Sequence, residues 1–163
     1  MAPKVKRRFR YMSALIVALF FLLIFFVPRI TDLSQGGSSK PSPETVAYAD
    51  TLARWVNAER TRFHRPPLTV SPCLDAYASR WAQHLAVTGQ FTHQSLYPIM
   101  ATCRATRGAE NIVRGNVTAY RLFSAWWNSP PHRANLLDPR LRRMGLAVVY
   151  GRGGWSAVQD FSN

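Results

Sequence analysis

The sequence predicts an α+β domain, helices packed on a small antiparallel sheet, with one transmembrane helix in front of it. Three observations carry this. Residues 11–27 are an unbroken uncharged apolar run. The middle of the chain repeats helix-start signals followed by apolar residues at helical spacing. The last twenty residues switch to two strand-like segments around a glycine-rich turn.

The leading segment decides where the rest of the chain goes. Tyr11 to Val27 spans roughly 25 Å as a helix, the short end of a bilayer core. Lys4, Lys6, Arg7, Arg8 and Arg10 precede it, whereas Arg29 is the only cation after it until Lys40. The positive-inside rule therefore leaves residues 1–10 as a cytoplasmic basic segment and residues 11–28 as a signal-anchor, and sends the remainder out of the cytoplasm. Cleavage would instead secrete the domain, but Val27-Pro28-Arg29-Ile30 is a poor small-residue cleavage site. Residues 29–43 are polar and rich in Gly, Ser and Pro and read as a flexible linker. It sets the following domain, residues 44–163, roughly 20–24 Å from the membrane on average.

Each element of that domain has a local cause. Ser42-Pro43 supplies an N-cap and a first-turn proline. Val46, Ala49, Ala53 and Val56 then give a helix ending near Arg62. Ser71-Pro72 repeats the signal, with Leu74, Tyr77, Ala78, Trp81, Ala82 and Leu85 as the apolar face and Gly89 as the stop. Residues 91–109 read as loop. Thr118 to Trp127 is a third helix with Thr118 at its N-cap, and Arg133 to Leu137 a short helical turn. Met144–Tyr150 and Trp155–Phe161 are strands joined through Gly151-Arg152-Gly153-Gly154.

Composition limits the function classes. The chain is 47% hydrophobic and carries a net charge of +13. Residues 44–163 hold 14 arginines, no lysine and seven acidic residues, a net of +7. Such a surface fits an anionic partner or a plain bias toward arginine. The arginines are scattered along the sequence with no aromatic–basic pattern, so nucleic acid is not expected. Cys73 and Cys103 are the only cysteines, and an exported domain can keep them as a disulfide, with two buried thiols as the alternative.

Among the four histidines, His64 reads as a surface residue and His84 as structural. His93 and His132 lie at element boundaries among small polar residues. Glu110 is the only acid between Asp75 and Asp138.

The segments FTHQS, GAENI, AWWNSPPHRANLLDPRLRRMGLAVV and VQDF resemble, in order and spacing, the CAP superfamily, which groups cysteine-rich secretory proteins, venom antigen-5 proteins and plant pathogenesis-related proteins. The bacterial SCP-like branch is the nearest likeness, and it covers about residues 45–163. The resemblance implies a three-layer α-β-α sandwich with a surface cleft. His93 and His132 match the cleft histidines, Glu110 the glutamate of the G-E-N-I motif, and Ser129 stands where many members carry a second glutamate. Pro131 replaces the usual glycine before His132.

Two neutral imidazoles can bind a divalent metal such as zinc, with Glu110 orienting one of them; a purely structural polar cluster is the alternative. Three functions follow as expectations. One is a membrane-tethered, monomeric module binding an envelope lipid or wall polymer. Another is a metal-dependent hydrolase working through His93, Glu110 and His132. The third is a protein-interaction scaffold. The first is preferred, and catalysis is not expected.

Overall fold

The computed structural model describes residues 42–163. The expected cytoplasmic segment, signal-anchor and linker lie outside the described residues, except that Ser42 and Pro43 already belong to the first helix rather than to the linker. No helix among the described residues is long and apolar enough to cross a membrane.

Helix α1 (Pro43–Arg62) starts as the sequence predicts: the Ser42 hydroxyl accepts from the Thr45 amide and proline fills the first turn. Its buried residues are Leu52, Val56 and Arg60, while Val46 is exposed. The inward stripe is thus shifted toward the second half of the helix. A two-residue strand β1 (Thr69–Val70) leads into α2 (Pro72–Thr88), capped by Ser71 and stopped by Gly89 at φ 76°. A short helix α3 (Leu96–Thr102) lies within the stretch expected to be loop, and strand β2 (Gly108–Gly115) begins at its end and runs on through residues for which no element is expected. Helices α4 (Ala119–Asn128) and α5 (Pro130–Leu137) precede the hairpin β3 (Arg143–Gly151) and β4 (Gly154–Ser162). Gly153 and Gly154 take φ of 81° and 101° at the turn, which glycine adopts without steric cost.

The four strands run in the order β1-β3-β4-β2. The expected purely antiparallel sheet is corrected to a mixed one, because β1 pairs parallel to β3. A two-residue strand has no alternation to read. It points the same way as β3 because the chain crosses over through α2 and later elements before pairing. Strand β2 escaped the pattern because it buries Glu110 and Asn111 beside Ile112 and Val113.

Alternate residues of each strand face opposite layers. Val113, Met144, Val148, Ala157 and Phe161 pack with Leu52 and Val56 of α1 and with Leu122, Phe123 and Trp126 of α4. Ile112, Ala147 and Val158 pack against Ala78, Ala82 and Leu85 of α2. Helix α2 comes so close to β3 that a Cβ on Gly145 would lie 2.1 Å from the Leu74 carbonyl carbon. A disulfide between Cys73 and Cys103 ties the start of α2 to the end of α3, as expected.

Candidate functional site

The site forms at β2, one of the two edge strands of the sheet. Register does the first part of the work. Glu110 on β2 lies directly opposite Asp160 on β4, so both carboxyl groups rise from one face. Both residues are buried.

The loop before α3 closes over them and is pinned residue by residue. The Arg114 guanidinium sits 5.2 Å from the Phe91 ring centre, and the Trp81 indole donates to the Thr92 carbonyl at 2.9 Å. His93 Nδ1 is 2.5 Å from Glu110 Oε1. Gln94 donates through its backbone N–H to Glu110 Oε1 at 3.3 Å and through Nε2 to Glu110 Oε2 at 2.8 Å. The same Nε2 reaches both Asp160 oxygens at 3.1 and 3.2 Å.

The other wall is α5. Ser129 is its N-cap, and Pro130 and Pro131 fill the first turn, where a missing N–H costs nothing. That puts His132 in the first turn. Asn111, fully buried on β2, donates to the His132 carbonyl at 3.2 Å, and Asn135 donates to Asn111 Oδ1 at 2.9 Å. The Asn111–Asn135 pair thereby fixes α5 against the strand that carries Glu110.

Electrostatics follow from burial. Burial, then the neighbouring Glu110 charge, pushes the Asp160 carboxyl up to about 8, partly offset by the Gln94 hydrogen bond. Asp160 therefore keeps a proton at neutral pH and Glu110 is spared a second negative charge beside it. Burial, then proximity to His93, holds the His132 imidazole below its ordinary range and so neutral.

His93 and Glu110 are in direct contact, and α5, which carries His132 in its first turn, is tied to the Glu110 carbonyl through Asn135 at 3.4 Å. Their roles differ. The Glu110 side chain is only 2% exposed and is spent on His93 and Gln94, whereas the His93 side chain is 57% exposed. A carboxylate at Nδ1 requires the proton there, so the neutral ring carries its free lone pair on Nε2. Among the described residues no group of three or more His, Cys, Asp or Glu side chains converges as metal ligands. The donor set fits a cation only through the two imidazoles, with Glu110 behind His93. Two residues of the site, Gln94 and Asp160, were not singled out from the sequence, although they lie inside the FTHQS and VQDF segments. Trp126 is core, and Trp127 packs between Phe63 and Phe123 beneath Arg133 rather than with the His–Glu group. His84 stacks on Trp81, and His64 is exposed.

Residues 53–161 match the cysteine-rich secretory protein family, CAP. The chain belongs to the CAP family. It is similar to YkwD, an uncharacterised protein of Bacillus subtilis strain 168, at 28% identity over 137 residues, covering 79% of this chain and 52% of the relative. The chain thus spans about half the length of the curated relative it matches. The CAP fold is also that of an SCP-domain extracellular protein from Bacillus anthracis (TM-score 0.66, 19% identity, 77% of this chain and 45% of that one). An outer surface protein of Borrelia burgdorferi shares it too (TM-score 0.64, 18% identity, 72% and 92%).

Proposed function

We propose that the protein is a membrane-anchored, extracytoplasmic CAP module that binds an envelope ligand, a lipid or wall polymer, at the His93–His132 edge, with a divalent cation such as zinc as an optional part of that site. The observation that carries this reading is the exposed His93 imidazole clamped through Nδ1 by a buried carboxylate. That arrangement spends a buried charge to orient one surface ring. A neutral His132 nearby adds a second imidazole donor. A bound cation would supply positive charge for an anionic or carbonyl ligand, and Ser129 at the α5 N-cap lies beside that position in sequence. The outward placement rests on the charge asymmetry around residues 11–27 and on the disulfide. It agrees with the extracellular and surface descriptions of the two structural relatives.

A thiol nucleophile is excluded among the described residues, since both cysteines are paired. Hydrolysis would need cation-activated water, and the binding reading requires no such step. The test is binding of the full-length protein to isolated envelope lipids and wall fragments, with and without added zinc, beside the His93→Ala/His132→Ala variant. Loss of binding in the variant is expected. Undiminished binding would refute the site.

A further inference from the structure

The fold gathers arginines that the sequence scatters. Arg65 follows the end of α1, Arg107 lies just before β2, and Arg142 just before β3. The last residues of the chain knit the latter two together. Arg142 N–H donates to the Ser162 carbonyl at 2.8 Å, and the Asn163 N–H to the Arg107 carbonyl at 3.3 Å. Arg65 arrives from the other side: its N–H donates to the Arg60 carbonyl at 2.8 Å. The Arg60 guanidinium is bound to the carbonyls of Leu136, Asp138 and Leu141, immediately before Arg142.

Among the described residues this charge is only partly offset: Asp138 acts on Arg107 from a distance, but no salt bridge forms to Arg65, Arg107 or Arg142. Of the seven acidic residues in the domain, Glu110 and Asp160 are buried at the β2 edge. Glu59 pairs with Arg62, and Asp138 with Arg140 at 2.8 Å. Asp75 accepts the Leu146 amide. Glu44 and Asp50 sit in the first half of α1. Arg65, Arg107 and Arg142 are exposed and have no carboxylate partner among the described residues. Helix α1 is 20 residues long, about 30 Å, which sets Glu44 at the end of the helix away from Arg65.

We propose that this arginine pole is an interaction surface for a phosphodiester-linked polymer of the cell envelope. Guanidinium forks match phosphate oxygens, and several exposed forks spaced across one surface suit a repeating anion better than a single one. One observation favours a polymer over the anionic membrane. A membrane-seated surface sets large apolar side chains beside its cations, yet none of the large exposed apolar residues lies within four positions of Arg65, Arg107 or Arg142 along the chain. The proposal shares the extracytoplasmic placement argued above but does not depend on the His–Glu site.

The test uses the full-length protein in nanodiscs of zwitterionic lipid, titrated with poly(glycerol phosphate) over a range of salt concentrations. In Arg65→Gln/Arg107→Gln/Arg142→Gln, affinity should fall roughly tenfold or more, and the slope of log affinity against log salt should shrink by about 2, near 0.7 per lost contact. In Arg54→Gln/Arg121→Gln/Arg152→Gln, which has the same net charge, affinity should fall less than about twofold. The N-terminal cations are common to all three proteins and cancel in the comparison. Equal losses in the two variants would overturn the proposal, as would the absence of polymer binding. Displacement of the polymer by phosphatidylglycerol vesicles at lower phosphate concentration would overturn it in favour of a membrane. None of these outcomes touches His93 or His132, so the proposed cleft stands or falls separately.

Discussion

Glu110 and Asp160 stand opposite each other across β2 and β4, and a single Gln94 amide group donates to both carboxyl groups. Two buried acids at this range cannot both be charged cheaply. The structure resolves the conflict by leaving the proton on Asp160 and the charge on Glu110, where His93 can use it.

Stability should therefore depend on pH through Asp160. Its folded value near 8 lies above the ordinary 3.8, so the folded state holds a proton that the unfolded chain has released. Between about pH 4 and pH 8 this contribution to stability is lost as pH rises, at up to about 1.4 kcal/mol per pH unit. Asp160→Asn keeps an acceptor for Gln94 and removes the titration. Its melting temperature should exceed the wild-type value above neutral pH, and its pH profile should be flatter between pH 6 and 8, with Glu110 and His93 unchanged in both proteins. Parallel melting profiles for the two proteins would show that Asp160 titrates normally.

His132 gives the opposite sign. Its folded value is lowered, first by burial and second by His93. Stability from this group is present above the ordinary histidine range and is lost as pH falls below it. In an NMR titration the His132 ring should take up its proton at lower pH than the ordinary histidine value. His93→Ala should move His132 part of the way back, since burial remains. A His132 titration that does not respond to His93→Ala would mean the two rings do not face one another closely.

The sequence foretold what depends on neighbours along the chain. Ser42-Pro43, Ser71-Pro72 and Gly89 mark helix ends whose capping groups lie within four residues, and the hairpin turn at 152–153 is equally local. Strand β2 was hidden because its Glu110 and Asn111 are polar yet buried, and only their partners on α5 and the 91–95 loop explain that burial. His93, Glu110 and His132 were visible as a set through their motifs. Asp160 was not, because its pairing with Glu110 is a consequence of strand register fifty residues apart. The pole of Arg65, Arg107 and Arg142 was hidden for the same reason, as its members come from three separate connections.

The disulfide should matter more to stability than to architecture. Cys73 and Cys103 close a loop with a sequence separation of 30, worth about 3–4 kcal/mol on the chain-entropy estimate. Cys73→Ala/Cys103→Ala should lower unfolding stability by roughly that amount in urea while leaving the His93–Glu110 contact in place, because that contact is held by the β2 edge and Trp81. An unchanged midpoint in urea would show that the unfolded chain is already compact around these residues.

Arg60 should be the most sensitive single position outside the site. It is fully buried, and its guanidinium donates to four backbone carbonyls, those of Pro66, Leu136, Asp138 and Leu141, at 2.7 to 3.2 Å. The Leu136 carbonyl is in the last turn of α5, so Arg60 binds the end of the helix whose first turn carries His132. Arg60→Met keeps the side-chain length but leaves these buried carbonyls without donors. The cost should be about 3–5 kcal/mol, near the penalty for breaking a buried charged network. Arg60→Lys should recover only part of it, since an ammonium cannot reproduce the planar fork that reaches carbonyls on three sides. Urea denaturation of the three proteins gives the ranking. A loss below about 1 kcal/mol in Arg60→Met would mean that water replaces the guanidinium at these carbonyls, and that α5 does not need it to hold His132 at the β2 edge.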